Sequence, residues 1–166
     1  MAMNETLRGI FVGTAALSVA AVAAILLTVL RKPLGNSIAR ELASRLLLLG
    51  LAVQSLHFGE EFVTHFQVRF PVLLGLPAWP ASFFVIFNLF WLSVWILAAI
   101  GLQKAYRLAF FPAWFFAIAA IANGIGHPVL ALVAHGYFPG LVTSPLLGII
   151  GVLLWLKLWE LTGSSA

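Results

Sequence analysis

The chain has 166 residues, of which 63% are hydrophobic and 8% are charged, and its mean hydropathy is +1.09. A soluble domain carries about 25% charged residues, so the composition excludes an ordinary soluble protein and indicates an integral membrane protein. The absence of cysteine excludes disulfides and thiolate metal sites, and the net charge of +4 lies mostly in loops and does not predict a nucleic-acid surface.

Five long apolar segments follow one another along the chain, and a segment of about 20 such residues crosses a bilayer as a helix. The sequence therefore predicts an all-α integral membrane protein, a bundle of five transmembrane helices that forms a single domain over residues 1–166. Helix-breaking residues such as Pro33, Gly75 and Pro139 occupy the connections. The predicted helices cover about residues 9–30, 38–66, 81–101, 112–135 and 141–161.

Basic residues are distributed unevenly between the two ends of this predicted bundle. One end has Arg8 and Arg69, and positive charge is retained preferentially on the cytoplasmic side. The pattern predicts a cell (plasma or inner) membrane protein with its N-terminus outside and its C-terminus in the cytoplasm. The seven basic residues of the predicted cytoplasmic end are Arg31, Lys32, Arg40, Arg45, Lys104, Arg107 and Lys157.

Two carboxylates and two imidazoles interrupt the apolar sequence near the end of the second predicted helix. Ionisable side chains at membrane depth are rare and indicate a functional site. His57, Glu61 and His65 recur every fourth residue and spread over about 80° of one helix face. Glu60 lies beside them, so one stripe of a single helix presents four chemically active side chains.

The fourth predicted helix carries histidines at matching levels. These two helices are predicted to end near Phe66 and Gly136, and His57 and His127 each lie nine residues before those points, or roughly 13 Å below them. His65 and His135 each lie one residue before those points. The equal spacing predicts one polar cavity in the outer half of the bundle.

A divalent metal ion is the predicted occupant, because neutral imidazole and carboxylate suit zinc, with iron as the alternative. A mononuclear site would use His57, Glu61 and His127, with Glu60 as a ligand or base. The Cα atoms of His57 and His65 are about 12 Å apart on a helix, so a dinuclear site with a bridging glutamate would add His65 or His135.

Other interpretations of these residues are open at this point. His57 could be a buried core histidine bonded to a backbone carbonyl. The second helix could end near Phe58, and then Glu60, Glu61 and His65 would be loop residues. Asn123, like Asn88, could clamp helices together by hydrogen bonds.

Three sequence motifs together resemble the HXXEE-motif family of small multi-span membrane proteins, whose function is generally described as unknown. The motifs are His57-x-x-Glu60-Glu61, Asn123-x-x-x-His127 and Tyr137-x-Pro139-Gly140-x-x-Thr143. The resemblance covers about residues 46–154 and leaves the first helix outside. It implies a shared signature and no activity. The signature residues are His57, Glu60, Glu61, Asn123 and His127.

The sequence predicts a membrane-embedded metal-dependent enzyme that acts on a membrane lipid or another apolar small molecule. Hydrolysis or isomerisation fits a zinc site, and oxidation fits a di-iron site. Glu60 would be the general acid or base. The candidate catalytic residues are Glu60, Glu61 and Asn123, and the candidate metal ligands are His57, Glu61, His127 and His65.

Other functions use the same residues differently. The His/Glu cluster could relay protons, pass a metal ion, bind a small molecule, or act as a metal-free acid/base centre. A transporter is expected to have a second polar half, which a homodimer could provide. A membrane scaffold ranks last, because burying two adjacent carboxylates for packing alone is costly.

Overall fold

The computed structural model describes residues 2–164. Within that range the chain is predominantly helical, with seven α-helices, one 3₁₀ turn and two three-residue strands. The helices are α1 Ala2–Gly13, α2 Ala15–Leu30, α3 Ser37–Val63, α4 Phe66–Leu73, α5 Ala81–Gln103, α6 Phe110–Val133 and α7 Ser144–Leu161. The 3₁₀ turn is Arg107–Ala109, and the strands are β1 Arg31–Pro33 and β2 Thr162–Ser164.

Four helical segments are long and apolar enough to cross a membrane, and a bent pair of helices adds a fifth. This agrees with a helical membrane protein of four to five spans. The bent pair is Glu5–Gly13 with Ala15–Leu30, and the other four segments are Ser37–Val63, Ala81–Gln103, Arg107–Val133 and Ser144–Leu161.

The first predicted span differs from the structure, because it begins earlier and is broken. The axes of its two parts differ in direction by 48° across Thr14. The Thr14 hydroxyl donates a hydrogen bond to the carbonyl of Ile10. A Cβ atom at Gly13 would overlap the Trp79 ring, so the missing side chain allows the break to lie against that indole.

Helices α3 and α6 end two or three residues before their predicted ends, at Val63 and Val133. The reason is the same in both cases. His65 and His135 adopt left-handed backbone conformations, with φ of 63° and 53°. Such a residue just after the last helical turn ends a helix by turning the chain away from its axis.

The connection after α3 contains the helix α4, where the sequence predicted a loop. Pro71 lies inside this short helix and has no N–H to donate to the carbonyl of Gln67. The backbone N–H of Trp79 donates to that carbonyl at 2.8 Å instead. The bond folds the connection back over the end of the bundle.

Helix α6 is central, because it packs against α7, α2 and α5, while α3 packs against α5 and α7. The contact between α6 and α7 is closest at two glycines. A Cβ atom at Gly148 would lie 2.9 Å from the Cα of Gly124, and small residues of this kind let membrane helices approach each other. Buried side chains such as Leu47, Phe116 and Leu154 fill the core.

The opposite end of the bundle is closed by an antiparallel pairing of β1 with β2, which places Lys32 opposite Gly163. The guanidinium of Arg31 lies 3.6 Å from the ring centre of Trp159, and its Nε donates to the Thr162 hydroxyl at 2.8 Å. The α2–α3 connection and the end of α7 are thereby fixed to each other.

Candidate metal centre

His57, Glu61 and His127 form a buried cluster between α3 and α6. Their exposed fractions are 0%, 6% and 3%. The Glu61 Oε1 lies 3.5 Å from His57 Nε2 and 3.4 Å from His127 Nε2. The two imidazole rings meet nearly at right angles, with centroids 4.7 Å apart. The three ligand atoms all lie within 4.8 Å of one another, so this group could hold a metal ion.

The helix register explains why these residues meet. His57 precedes the last residue of α3 by six positions, and His127 precedes the last residue of α6 by six positions. Both therefore lie about 9 Å inside the end of the bundle. Glu61 follows His57 by one helical turn and extends from the same face.

Each histidine has its second ring nitrogen held by the connection between α6 and α7. His127 Nδ1 lies 2.6 Å from the carbonyl oxygen of Pro139, and a carbonyl can only accept a hydrogen bond. His57 Nδ1 lies 2.8 Å from the Thr143 hydroxyl oxygen. That hydroxyl donates its own proton to Glu60 Oε2 at 2.6 Å, so it accepts from His57. Both histidines therefore carry their proton on Nδ1.

This protonation leaves the two Nε2 lone pairs directed at the Glu61 carboxylate. His57 Nε2 is buried and has no hydrogen-bond donor within the described part of the chain. Five other buried side-chain atoms of the described chain, among them the Trp79 and Trp95 indole nitrogens, also have no partner, so this nitrogen is compatible with a metal ligand but does not by itself identify one. A single proton on Glu61 could satisfy one of the two nitrogens, whereas a cation among the three atoms satisfies all of them.

Two of the three separations in the cluster are close to those around a tetrahedral ion. Ligand atoms about 2.0–2.1 Å from such an ion lie roughly 3.3–3.4 Å from one another, close to the 3.4 and 3.5 Å separations between Glu61 and the imidazoles. The third separation, between the two imidazole nitrogens, is no more than 4.8 Å. Imidazole Nδ1–H groups bonded to a carbonyl or to a carboxylate-bound hydroxyl are the usual support of metal-binding histidines.

Glu60 faces the α6–α7 connection, where four donors fill the acceptor positions of its two carboxylate oxygens. The predicted role of Glu60 as a general acid or base does not follow from this geometry, because its oxygens are already occupied. The donors are the Tyr137 hydroxyl at 2.7 Å, the Val142 N–H at 3.0 Å, the Thr143 N–H at 2.9 Å and the Thr143 hydroxyl at 2.6 Å.

The Tyr137 hydroxyl keeps its proton for this contact. Partial burial and the hydrogen bond to Glu60 both raise the pKa of Tyr137 above its ordinary value. The phenol therefore remains a donor at neutral pH. Arg69 of α4 donates to the carbonyl of the same residue at 2.9 Å, which ties α4 to the connection.

Gly140 brings this connection against both imidazoles. Its φ is 86°, a conformation that glycine adopts readily and other residues do not. A Cβ atom there would lie 2.5 Å from His127 Nδ1 and 2.8 Å from His57 Cε1. The Pro139 carbonyl and the Thr143 hydroxyl can reach the histidines only because this position has no side chain.

A cavity of about 260 Å³ begins at the cluster and extends into the bundle. Glu61 and His127 line it. Asn123 lines it one helical turn deeper than His127. The wall is otherwise largely aromatic, with Phe66, Phe70, Trp79, Phe83, Phe84, Phe87, Trp91, Trp95, Phe115 and Phe116.

The structure does not bring every predicted site residue together. His65 is exposed after the end of α3 and is not part of the buried cluster, because its left-handed conformation turns the chain away from the α3 axis. His135 is exposed at the matching position after α6. The geometry thus gathers the ligands of a mononuclear site and gives no support for His65 as a ligand.

Sequence reasoning missed the residues that orient the histidines. Thr143, Pro139 and Gly140 were quoted only as part of a motif, and Tyr137 is typical of an interfacial anchor. The signal was present in the spacing of Tyr137-x-Pro-Gly-x-x-Thr143, because a turn rich in hydrogen-bonding groups directly follows the helix that carries His127.

Comparison with protein-family models, with curated proteins and with solved structures finds no match for this chain. The resemblance to the HXXEE-motif family therefore stays a prediction.

Proposed function

We propose that this chain is a membrane-embedded, metal-dependent enzyme that acts on a lipid-like substrate. One observation carries the proposal: three buried ligand atoms converge at the end of a largely apolar cavity, and one of them, His57 Nε2, has no hydrogen-bond partner within the described chain. Convergence of two imidazoles and a carboxylate in a buried place is the feature that a packing role explains least well, because burying a carboxylate for packing alone is costly.

In this proposal His57, Glu61 and His127 bind the ion, and zinc is preferred. Two imidazoles and one carboxylate form a ligand set typical of catalytic zinc, which leaves a fourth position open. Such an ion supplies Lewis acidity and activates water at neutral pH. Hydrolysis or isomerisation is the preferred reaction type, and iron with an oxidation is the alternative.

The residues around the ion have distinct tasks in this proposal. Glu60 is a positioning residue, because it acts on His57 through the Thr143 hydroxyl and does not line the cavity. Asn123 lines the cavity next to His127 and offers an amide to a polar group of the substrate. Burial of the cluster excludes bulk water and strengthens each of these interactions.

Transport is less well supported, because the core on the far side of the cluster is largely apolar. Leu47, Leu51 and Leu154 are buried there, and Gln54 is a buried polar side chain among them. Farther toward the basic end, the Ser44 hydroxyl donates to the carbonyl of Ala99 at 2.9 Å and accepts from the Gln103 amide at 3.0 Å. Ion or proton relays need a series of polar groups across the membrane.

The test is metal-dependent turnover of a membrane lipid extract. The protein is reconstituted in lipid nanodiscs with zinc or iron(II), and products are identified by mass spectrometry. We expect turnover by the wild type and its loss in Glu61→Gln. Glu41→Gln is the matched control, because Glu41 lies on the same helix, exposed and paired with Arg45. Equal turnover by Glu61→Gln and the wild type would contradict the proposal.

A further inference from the structure

The cavity runs from a metal end, at the His57–Glu61–His127 cluster, to a deep end near Trp95. The lining residues of four helical segments follow this same direction. On α6 the lining residues run from Leu130 past His127 down to Phe115, and on α5 from Phe83 down to Trp95. On α3 they run from Glu61 down to Gln54. On the first, bent span they run from Gly13 to Ala20. The cavity therefore extends along the bundle axis, away from the candidate metal centre.

The cavity is elongated along the bundle. Phe115 precedes His127 by twelve residues, and Phe83 precedes Trp95 by twelve, which corresponds to about 18 Å along each helix. The volume of about 260 Å³ lies just below the range of typical ligand pockets, which hold about 300–1,000 Å³. A cavity of this volume and direction suits one extended chain better than two.

Polar groups are concentrated at the metal end. Glu61, His127 and Asn123 lie there, and so does Trp79. Trp79 is buried, and its indole N–H has no acceptor among the described residues, so it offers a donor to a head group. The amide of Asn88, farther down, is held by the carbonyl of Phe84 of its own helix.

The deep end is formed mainly by rings. Trp91 and Phe115 have centroids 4.4 Å apart, and Trp95 meets Phe116 edge to face at 5.0 Å. The polar groups at this level are Gln54 and the Trp95 indole N–H, which has no acceptor among the described residues. Methylenes of a ligand buried among such rings are removed from water, which favours binding.

The wall of the cavity reaches the outer surface of the bundle. Two of the lining residues, Ala16 on α2 and Ala122 on α6, are exposed. Both lie within candidate membrane spans, so this part of the wall faces hydrocarbon in a bilayer. A ligand dissolved in the membrane would meet the cavity from the side without crossing water.

We infer that the substrate is a single-chain amphiphile, whose aliphatic tail lies along the cavity toward Trp95 and whose polar head group lies at the His57–Glu61–His127 cluster. This rests on the proposed function for the identity of the head-group site. A chain extends about 1.2 Å per bond, so a cavity of about 18 Å takes a tail of roughly 15 bonds. A diacyl lipid carries two such tails, which together exceed the volume of about 260 Å³, so we expect it not to be a substrate.

The inference is tested by photo-crosslinking in lipid nanodiscs. The probes are two hexadecanoic acids, one with a diazirine next to the carboxylate and one with a diazirine next to the terminal methyl. We expect the first to label residues around Trp79 and Phe83, and the second to label residues around Trp95 and Phe115. Unlabelled hexadecanoic acid should compete, and diacyl phosphatidylcholine should not. Labelling of the same surface residues by both probes, without competition, would overturn the inference.

A pair of variants tests the length of the cavity. Ala119→Leu fills space at a buried lining position. The straight-chain fatty acid that competes best against probe labelling should therefore be shorter by roughly two to four methylenes. In Trp95→Leu it should be longer. Ala52→Leu, on the exposed face of α3, is the matched control and should leave the optimum unchanged. If both variants fold but their preferred fatty-acid chain lengths do not move in opposite directions, the inference is overturned.

Failure of this inference is distinguishable from failure of the proposed function. Probe labelling needs no metal, so it should persist in Glu61→Gln, which loses turnover. Deep labelling in that variant supports the single-chain cavity whatever the chemistry at the cluster. Turnover by a wild type that shows no deep labelling would overturn the inference and leave the enzyme proposal standing.

Discussion

At the scale of single residues, the Thr143 hydroxyl links Glu60 to His57, the histidine that lies against Glu61. It donates to Glu60 and accepts from His57 Nδ1, and so it fixes which nitrogen of His57 faces Glu61. The carbonyl of Pro139 does the same for His127. Metal-binding histidines depend on such partners for ring orientation and basicity.

Thr143→Val is therefore expected to weaken metal binding. Valine has nearly the shape of threonine but cannot accept from His57 or donate to Glu60. We expect affinity for zinc to fall by about 10–100-fold, the usual effect of losing such a supporting group. Thr143→Ser retains the hydroxyl and should bind like the wild type. Competition with a chelating dye measures both, and equal affinity of Thr143→Val and the wild type would refute the supporting role.

At the scale of secondary-structure elements, the α6–α7 connection determines the geometry of the centre. We expect Gly140→Ala to destabilise the protein by about 1–3 kcal/mol, because it adds an atom in a filled space and strains a residue with positive φ. It should also reduce metal binding, since the new Cβ atom would displace the rings of His57 and His127.

Gly136→Ala is the matched control for that substitution. Gly136 lies in the same connection, but a Cβ atom there would have no neighbour within 4 Å. Thermal unfolding in detergent and zinc titration are measured on both variants. If Gly140→Ala matched Gly136→Ala in stability and in zinc affinity, the connection would not hold the imidazoles as described.

The sequence was sufficient to predict that His57 and His127 lie at the same depth in the bundle. It was not sufficient to predict the contacts made by the turns around them. Periodicity predicts which face His57 and Glu61 share, and counting back from the helix ends predicts that His127 meets them. Periodicity carries no information about long-range contacts of a turn, so the supporting role of Thr143 was not predicted. It also could not show that His65 would adopt a left-handed conformation and leave the cluster, or that the apolar first span would break at Thr14.

At the scale of the whole molecule, the two ends of the bundle differ in chemistry. The candidate centre and the α6–α7 connection lie at one end, and the β1–β2 pairing with Arg31 and Arg107 lies at the other. The basic end is expected to face the cytoplasm. The centre would then lie in the outer half of the membrane.

Cysteine labelling tests this orientation, because the chain has no cysteine of its own. An impermeant maleimide should label Gly136→Cys in intact cells and should label Lys104→Cys only after permeabilisation. Both positions are exposed in loops at opposite ends of the bundle. The reverse pattern would show that the centre faces the cytoplasm.

The most direct test of the account is the metal content of the detergent-purified protein. We predict about one equivalent of zinc or iron per chain, retained in Glu41→Gln and lost in Glu61→Gln and His57→Ala, with all variants folded by thermal unfolding. No bound metal in the wild type, even after reconstitution with zinc and iron(II), would contradict the assignment of the cluster as a metal centre.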